Sequence, residues 1–294
     1  MKTCLLLHNP FAGTKRSFPC AQWTEGMLQG MGWNVVRQES LRPGFFSEYL
    51  QQADLTNIDL IGVLGGDGTM HEVVNGFLRR DHVPAIPFAL FPAGTGNAFN
   101  HDIQCLTPSD TLRRIEQGHT KYLDVFEITT PQERIFAFNI LGFGLVSQIN
   151  ASAERLRWLG GLRYSVAALW HIFQNPRFKA HIQVDTHVWD GDFCFALVSN
   201  TIYTGKDMKM SPRAVLDDGL LDVTVVPHTS FWQLLWLFPL IFSGNHISSP
   251  LLTYTQAKQI SLQADPQPLI IDGETKGATP VSIKVLPRCI KMVV

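Results

Sequence analysis

At 294 residues the chain is long for one small domain, and two compact units of ordinary size fit it better. Hydrophobic residues make up 45% and charged residues 17%, which excludes a disordered chain and points to apolar surface somewhere, lipid contact being one explanation. With 24 Lys+Arg against 25 Asp+Glu the formal net charge is -1, so no global basic field exists to hold nucleic acid or anionic lipid, and any membrane contact has to be local and largely apolar.

The five cysteines, Cys4, Cys20, Cys105, Cys194 and Cys289, are scattered, odd in number and without a C-x-x-C pair. They suit a reducing cytoplasm and no structural zinc. The apolar start at residues 4–7 is cut off by His8-Asn9-Pro10, too short for a secretory leader, and reads as a first strand. The most lipid-like run, FWQLLWLFPLIF at 231–242, is too short to span a bilayer and contains Pro239, so no transmembrane helix is expected.

Residues 3–8 read as a buried strand, Asn9-Pro10-Phe11-Ala12-Gly13 as the turn that leaves it, and 20–31 as a helix. The Walker pattern is absent, because Gly13 is followed by Thr14-Lys15 with no glycine at the required position. A strand at 34–38 ends at Glu39-Ser40, and a helix at 45–53 follows. The apolar run 59–64 reads as a strand buried on both faces. It breaks at Gly65-Gly66-Asp67-Gly68-Thr69 before a helix from Met70 to Arg80.

Glycines there permit close backbone approach, so the amides of Gly66, Gly68 and Thr69 can converge on an anion at the positive end of the helix, a phosphate being the expected ligand. Asp67 would repel that phosphate unless a metal ion or a transferable proton stood between them, and phosphoryl transfer from a magnesium nucleotide supplies both. The plainer alternative is that Asp67 braces the turn through an Asx hydrogen bond.

The pattern repeats with a strand at 86–91 and a second glycine loop, PAGTGN, carrying Gly94, Thr95, Gly96 and Asn97. Ligands gather at the carboxyl ends of strands in an open parallel sheet, so Asn9, Ser40, the GGDGT loop and Thr95 could share one crevice. Helix capping explains Thr95 and Asn97 equally well.

A helix at 109–117 ends at Gly118, and from Tyr122 the texture changes to strands: YLDVFEI, RIFAFNILGFG, HIQVD, FCFALVSN and LLDVTVV. A β-rich second domain therefore begins near Asp124. Two helical stretches interrupt it, 151–173 and 230–242, both rich in tryptophan and leucine. Core packing is the expectation for them. The alternative is a greasy lip for a lipid chain or bilayer surface, with Arg155, Arg157 and Trp158 beside Leu159, and Trp232, Trp236 and Phe238 in the other stretch. Late in the chain PLIIDGE delivers Asp272 and Glu274 at a glycine turn, on one side if extension continues through Gly273. An ordinary hairpin turn also explains Asp-Gly. The final strands, VSIKVLP and CIKMVV, can close either domain.

With GGDGT, PAGTGN and IDGE in this order, the chain resembles the diacylglycerol kinase catalytic-domain family of lipid kinases, including the YegS-like enzymes and the sphingosine kinases, over nearly its whole length. GGDGT is shared with NAD kinases and phosphofructokinases, but no Asn-Glu dipeptide of the NAD kinase type occurs here. The resemblance implies that Gly65, Gly66, Asp67, Gly68, Thr69, Met70, His71 and Glu72, with Ser40, Gly94, Thr95, Gly96 and Asn97, bind ATP, and that Asn9, Pro10 and Gly13 line the same cleft. MSPRAVLDDGLLDV looks like the family's second-domain signature, which implies a structural Mg2+ held by Asp218 and the backbone oxygens of Val215 and Leu220. Oxygen-only ligands suit that ion, and a tight turn at Asp217-Asp218-Gly219 is the other explanation.

By the same resemblance Glu274, with Asp272, matches the proton acceptor for the lipid hydroxyl, while in sphingosine kinases the role is argued for the aspartate matching Asp67. The chain departs from the family at Asn97-Ala98-Phe99-Asn100-His101, where many relatives read Asn-Asp-x-Ala-Arg. An acid and a base are lost, and the wording PAGTGNAFN with HEVVNGFLRR is nearer the sphingosine kinases, moving the substrate towards a long-chain base.

The expectation is an amino-terminal open parallel sheet with helices (1–123) plus a β-rich, sandwich-like second domain (124–294), with the nucleotide cleft between them. The expected activity is ATP-dependent transfer of the γ-phosphate to a primary hydroxyl of a membrane lipid, diacylglycerol or a long-chain base, by a cytoplasmic protein peripheral at the membrane. A soluble-metabolite kinase of NAD kinase type and a non-catalytic lipid- or nucleotide-binding regulator are the alternatives.

Overall fold

The computed structural model describes residues 1–13, 17–94, 97–205 and 208–294. The chain divides into two compact units, Met1–Asp124 with Arg288–Val294, and Val125–Pro287.

The first unit runs β1 (Thr3–His8), α1 (Ser17–Gly30), β2 (Asn34–Glu39), α2 (Phe45–Gln52), β3 (Leu60–Gly65), α3 (Asp67–Leu78), β4 (Phe88–Pro92), α4 (Ala98–Asp102) and α5 (Pro108–Gln117). Its sheet is parallel, in the order β2-β1-β3-β4, with Met292 of the returning carboxyl end paired in parallel to Phe88 at the far side. All six residues of β3 are buried, which its unbroken apolar run requires when helices lie on both faces. Ala21 and Leu28 of α1 and Leu112 and Ile115 of α5 pack with Leu6, Leu60 and Phe91 on one side. On the other, Phe77 of α3 meets Phe88 edge to face, with ring centroids 4.8 Å apart. The Asp124 carboxylate accepts the Arg288 amide at 2.7 Å and so ties down the returning chain.

The chain passes into the second unit within β5 (Thr120–Thr129) and continues with β6 (Arg134–Ala137), β7 (Ile140–Gly144), α6 (Leu145–Arg155), a 3-10 turn (Arg157–Leu162), α7 (Arg163–Gln174), β8 (Phe178–Val184) and β9 (His187–Ser199). Then come the short β10 (Tyr203–Thr204) and β11 (Met208–Lys209), β12 (Leu221–Pro227), α8 (Phe231–Ser243), β13 (Thr253–Ala257), β14 (Gln259–Ala264), β15 (Pro268–Ile271), β16 (Glu274–Ala278) and β17 (Val281–Val293). Pairing is antiparallel, in the order β16-β15-β7-β9-β8-β14-β17, and β12 pairs with both β9 and β13. β8 alternates buried and exposed positions, the pattern of a strand with one wet face, whereas the second half of β9 is buried throughout.

Four expectations change. The helix after the glycine loop starts at Asp67 rather than Met70, because Gly66 in extended conformation acts as its N-cap and Asp67 favours the first turn. The stretch 151–173 is two helices, broken where Gly160 (φ 57, ψ -128) leaves helical geometry. RIFAFNILGFG is two strands, interrupted at Phe138-Asn139. The tryptophan-rich helices are not simply core: Trp158, Trp170, Phe173, Trp232 and Trp236 are exposed.

Gly76 of α3 lies where a Cβ would come within 2.6 Å of the Phe46 carbonyl oxygen and 2.7 Å of that of Ser47, so α2 and α3 touch backbone to backbone. Gly76→Ala is therefore expected to lower stability by about 1–3 kcal/mol. Gly26→Ala, in the open on α1, should raise it by about 0.5–1 kcal/mol. Calorimetric unfolding of both variants checks this, and equal effects of the two would contradict the close helix contact.

Candidate active site

In the first unit three strand ends carry glycine turns that touch. A Cβ on Gly94 would fall 2.6 Å from the Gly66 Cα, and one on Gly13 would fall 2.3 Å from the Ala93 carbonyl oxygen. No side chain fits at either contact. The Ala93 amide donates to the Gly65 carbonyl at 2.9 Å, and the Asn9 side chain donates to the Thr69 hydroxyl at 3.0 Å. Asn97, at φ 48, closes the second loop on itself, accepting the Gly94 amide at 3.1 Å and donating to the Gly94 carbonyl at 2.9 Å.

Asp67 links the two loops. Its carboxylate accepts the amides of Ala98 at 2.8 Å and Phe99 at 3.3 Å, the first turn of α4. The acid thus serves the helix after the second loop, while Gly66, Asp67 and Gly68 stay partly exposed at the start of α3. Amides in a helix's first turn have no carbonyl four residues back, and they carry the positive end of the helix dipole.

Other residues face elsewhere. Met70 and His71 are buried, and Asn75 stands 3.3 Å from the His71 ring. The Glu72 carboxylate accepts the amides of Gly44 at 2.7 Å and Phe46 at 3.3 Å, capping α2. Ser40 closes the end of β2, its hydroxyl donating to the Arg42 carbonyl at 3.0 Å and its amide to His8 at 2.9 Å. Pro10 is half-buried in the turn after β1. Thr95 and Gly96 lie outside the described residues.

In the second unit Asp272 (φ 50) and Gly273 (φ 88) form a two-residue turn between β15 and β16, with Ile271 paired to Glu274. The strand therefore does not continue through Gly273, and the two carboxylates part. Asp272 is buried and accepts the amides of Asn139 at 2.9 Å, Ile140 at 3.1 Å and Phe138 at 3.4 Å, which is what interrupts the strand there. Glu274 stays partly exposed, 2.8 Å from the Lys276 ammonium. Lys276 was legible in principle, two residues on along a strand and so on the same side. Asn150 of α6 also holds the turn, donating to the Gly273 carbonyl at 3.1 Å.

Around the Asp217-Asp218-Gly219 turn, Asp218 accepts the Leu220 amide at 3.0 Å, and Val215 is exposed. Behind it Asp222 is buried and accepts the Tyr254 hydroxyl at 2.5 Å. Burial pushes the Asp222 carboxyl up, hydrogen bonds from Tyr254 and Gln256 oppose this, and the neighbouring Asp218 charge adds to the rise. Burial, then the bond to Asp222, also pushes the Tyr254 phenol up. An all-oxygen site with surplus negative charge suits a hard divalent cation such as Mg2+. Among the described residues no group of three or more His, Cys, Asp or Glu is placed to share a metal, so backbone carbonyls such as those of Val215 and Leu220 would have to complete the set.

Residues 3–128 match the diacylglycerol kinase catalytic domain, and residues 139–294 match the YegS C-terminal NAD kinase beta sandwich-like domain. The chain belongs to the diacylglycerol kinase catalytic-domain family of lipid kinases. Over 97% of its length this lipid kinase is 27% identical to a diacylglycerol kinase of Mycobacterium tuberculosis, covering 93% of that protein. Over 98% it is 25% identical to sphingosine kinase 2 of Arabidopsis thaliana, covering 69% of it. Its fold is that of a diacylglycerol kinase from Bacillus anthracis str. Sterne (TM-score 0.72, 20% identity, 99% and 96% of the two chains). An NAD kinase from Archaeoglobus fulgidus, solved in complex with ATP, shares the fold more loosely (TM-score 0.53, 13% identity, 100% and 94% of the two chains).

The two late carboxylates are thus expected to behave differently. Asp272→Asn places an amide NH2 against backbone donors and should cost about 1–3 kcal/mol of stability. Glu274→Gln breaks only a partly exposed ion pair and should stay within about 0.5 kcal/mol of the parent. Thermal unfolding of the pair decides, and a Glu274→Gln protein as unstable as Asp272→Asn would contradict the assignment.

Proposed function

We propose that this lipid kinase transfers the γ-phosphate of ATP to a primary hydroxyl of a membrane lipid, either diacylglycerol or a long-chain base, working peripherally at the cytoplasmic face of a membrane. The observation that carries the reading is the backbone contact of Gly66 with Gly94, locked by Asp67, which leaves first-turn amides of α3 partly open. Such amides bind phosphate oxygens without a side chain, which accounts for nucleotide binding where no Walker lysine is present.

The lipid oxygen attacks the γ-phosphorus, the bond from that phosphorus to the β,γ-bridging oxygen breaks, and ADP leaves with the electron pair. The hydroxyl proton passes to Glu274. Of the three candidate carboxylates, Asp67 accepts the amides of Ala98 and Phe99, Asp272 accepts those of Phe138, Asn139 and Ile140, and Glu274 faces a side-chain ammonium. The Glu274 carboxylate lies 2.8 Å from the Lys276 ammonium, which fixes its place at the turn. Asp67 acts as a positioning residue for both glycine loops. Mg2+ bound with the nucleotide would offset triphosphate charge, and a second, structural ion fits Asp218 with the carbonyls of Val215 and Leu220.

Labelled ATP offered with a total lipid extract or with NAD should label lipid and leave NAD unlabelled, and the reverse result would favour a soluble-metabolite kinase. Glu274→Gln is expected to lower turnover by about 10²–10⁴-fold with the KM for ATP nearly unchanged. Asp67→Ala should lose transfer together with ATP binding, because the loops part. Near-normal turnover in a folded Asp67→Ala protein refutes the loop's role.

Without nucleotide, Mg2+ should raise the melting temperature of the parent by a few degrees, about what binding at 100-fold over Kd supplies, and should not do so in Asp218→Ala. An equal rise in both proteins removes the ion from this turn.

A further inference from the structure

The inward residues of α7 are mostly small, Ala167 and Ala168 with Ile172, while Val166, Leu169, Trp170 and Phe173 are exposed, continuing from exposed Leu162. Their spacing makes one stripe along the helix. On α8, Leu234, Leu237 and Ile241 face inward, and Trp232 and Trp236, four residues apart, face out. The stripes join: Phe173 meets Phe231 edge to face at 5.9 Å, and Phe231 meets Trp232 at 4.9 Å.

Trp158, Trp170, Trp232 and Trp236 are 79%, 60%, 73% and 58% exposed. At about 150–250 Å² per aromatic side chain they alone offer on the order of 500 Å² of largely apolar surface, as much as the largest patch of a typical monomer. Core packing does not account for side chains this exposed, so something else covers them.

Charge and side-chain chemistry identify the cover. Residues 145–177 carry Arg155, Arg157, Arg163 and Arg177 against Glu154 alone, a local balance of 4 − 1 = +3 in a chain of net charge -1. Glu154 is itself paired with Arg163 at 3.6 Å. Residues 228–257 carry no Asp, Glu, Lys or Arg. A second copy would bring the same positive charge to the contact, whereas a bilayer with anionic headgroups neutralises it. Tryptophan, apolar in body with one N–H donor, favours headgroup depth. Among the described residues no helix is long and apolar enough to cross a membrane, so the face lies on the surface.

We propose that the exposed face of α7, α8 and the turn before α7 seats this protein on the interfacial zone of a bilayer containing anionic lipid, tryptophans at headgroup depth and arginines on lipid phosphates. The proposal deepens the lipid-kinase reading and rests on it for the purpose of docking. Within the second unit the face is wired to the Glu274 turn: α6 reaches the Gly273 carbonyl through Asn150 and bonds α7 through Ser152 and the His171 ring at 2.7 Å. Docking and hydroxyl activation thus share one helix.

The test is co-sedimentation of the full chain, without ATP, with vesicles of phosphatidylcholine alone or mixed equally with phosphatidylglycerol. The parent is expected to bind the mixed vesicles with a blue shift of tryptophan emission, more weakly at high salt. Trp232→Ala with Trp236→Ala should bind at least tenfold more weakly, with ATP affinity unchanged. Charge reversal by Arg155→Glu and Arg177→Glu, which leaves the tryptophans in place, should weaken binding to mixed vesicles and serves if the first variant does not fold. Absence of parent binding, undiminished binding by the folded variants, or a parent dimer that the tryptophan variant dissolves and vesicles do not, each overturns the proposal. Vesicle binding without lipid phosphorylation in detergent micelles would uphold docking while removing the kinase reading, and micellar phosphorylation without vesicle binding would do the reverse.

Discussion

The bond from the Asp67 carboxylate to the amides of Ala98 and Phe99 is the constraint on which the arrangement of the glycine loops in the first unit depends. A charged acceptor on backbone amides stabilises by ~1.5–3 kcal/mol per bond, enough to keep two glycine turns in backbone contact. It also resolves why an acid sits inside a phosphate-type loop. The negative charge is directed to the positive end of α4, and the first turn of α3 keeps its own.

The same device recurs. Glu72 caps α2, Asp124 holds the returning carboxyl end, and Asp272 takes three amides between β6 and β7. Each acid is satisfied by backbone donors, which is how a carboxylate can be buried at modest cost. Against that background Glu274 stands out: it is partly exposed, it pairs with a lysine side chain, and it follows directly on a turn that Asp272 and Asn150 fix from behind. Buried acids on backbone amides beside one partly exposed acid on a lysine is the contrast that the second unit displays.

Much of this was legible in the residues. The unbroken apolar runs of β1, β3 and β4, each ending at a glycine or proline turn, specify buried parallel strands, and Asp-Gly specifies the late hairpin. What was not legible depends on partners distant in sequence. Nothing local to Asp67 names Ala98, 31 residues on, and nothing local to Phe138 and Asn139 shows that Asp272 will claim their amides and break the strand. Likewise the helical spacing of 162–173 defines an apolar stripe without saying which side meets water. That the inward residues are Ala167 and Ala168 was the available clue, since small side chains permit close packing and leave the larger ones outside.

Two glycine turns, a carboxylate that joins them, and a separate acid held in a rigid hairpin form a coherent account of phosphoryl transfer to an alcohol. Its central claim is that backbone nitrogens at the start of α3 grip the triphosphate. Amide hydrogen exchange with and without a non-hydrolysable ATP analogue measures this directly. The account predicts slowed exchange concentrated at Gly66, Gly68 and Thr69, and saturating binding with exchange there unchanged would contradict it.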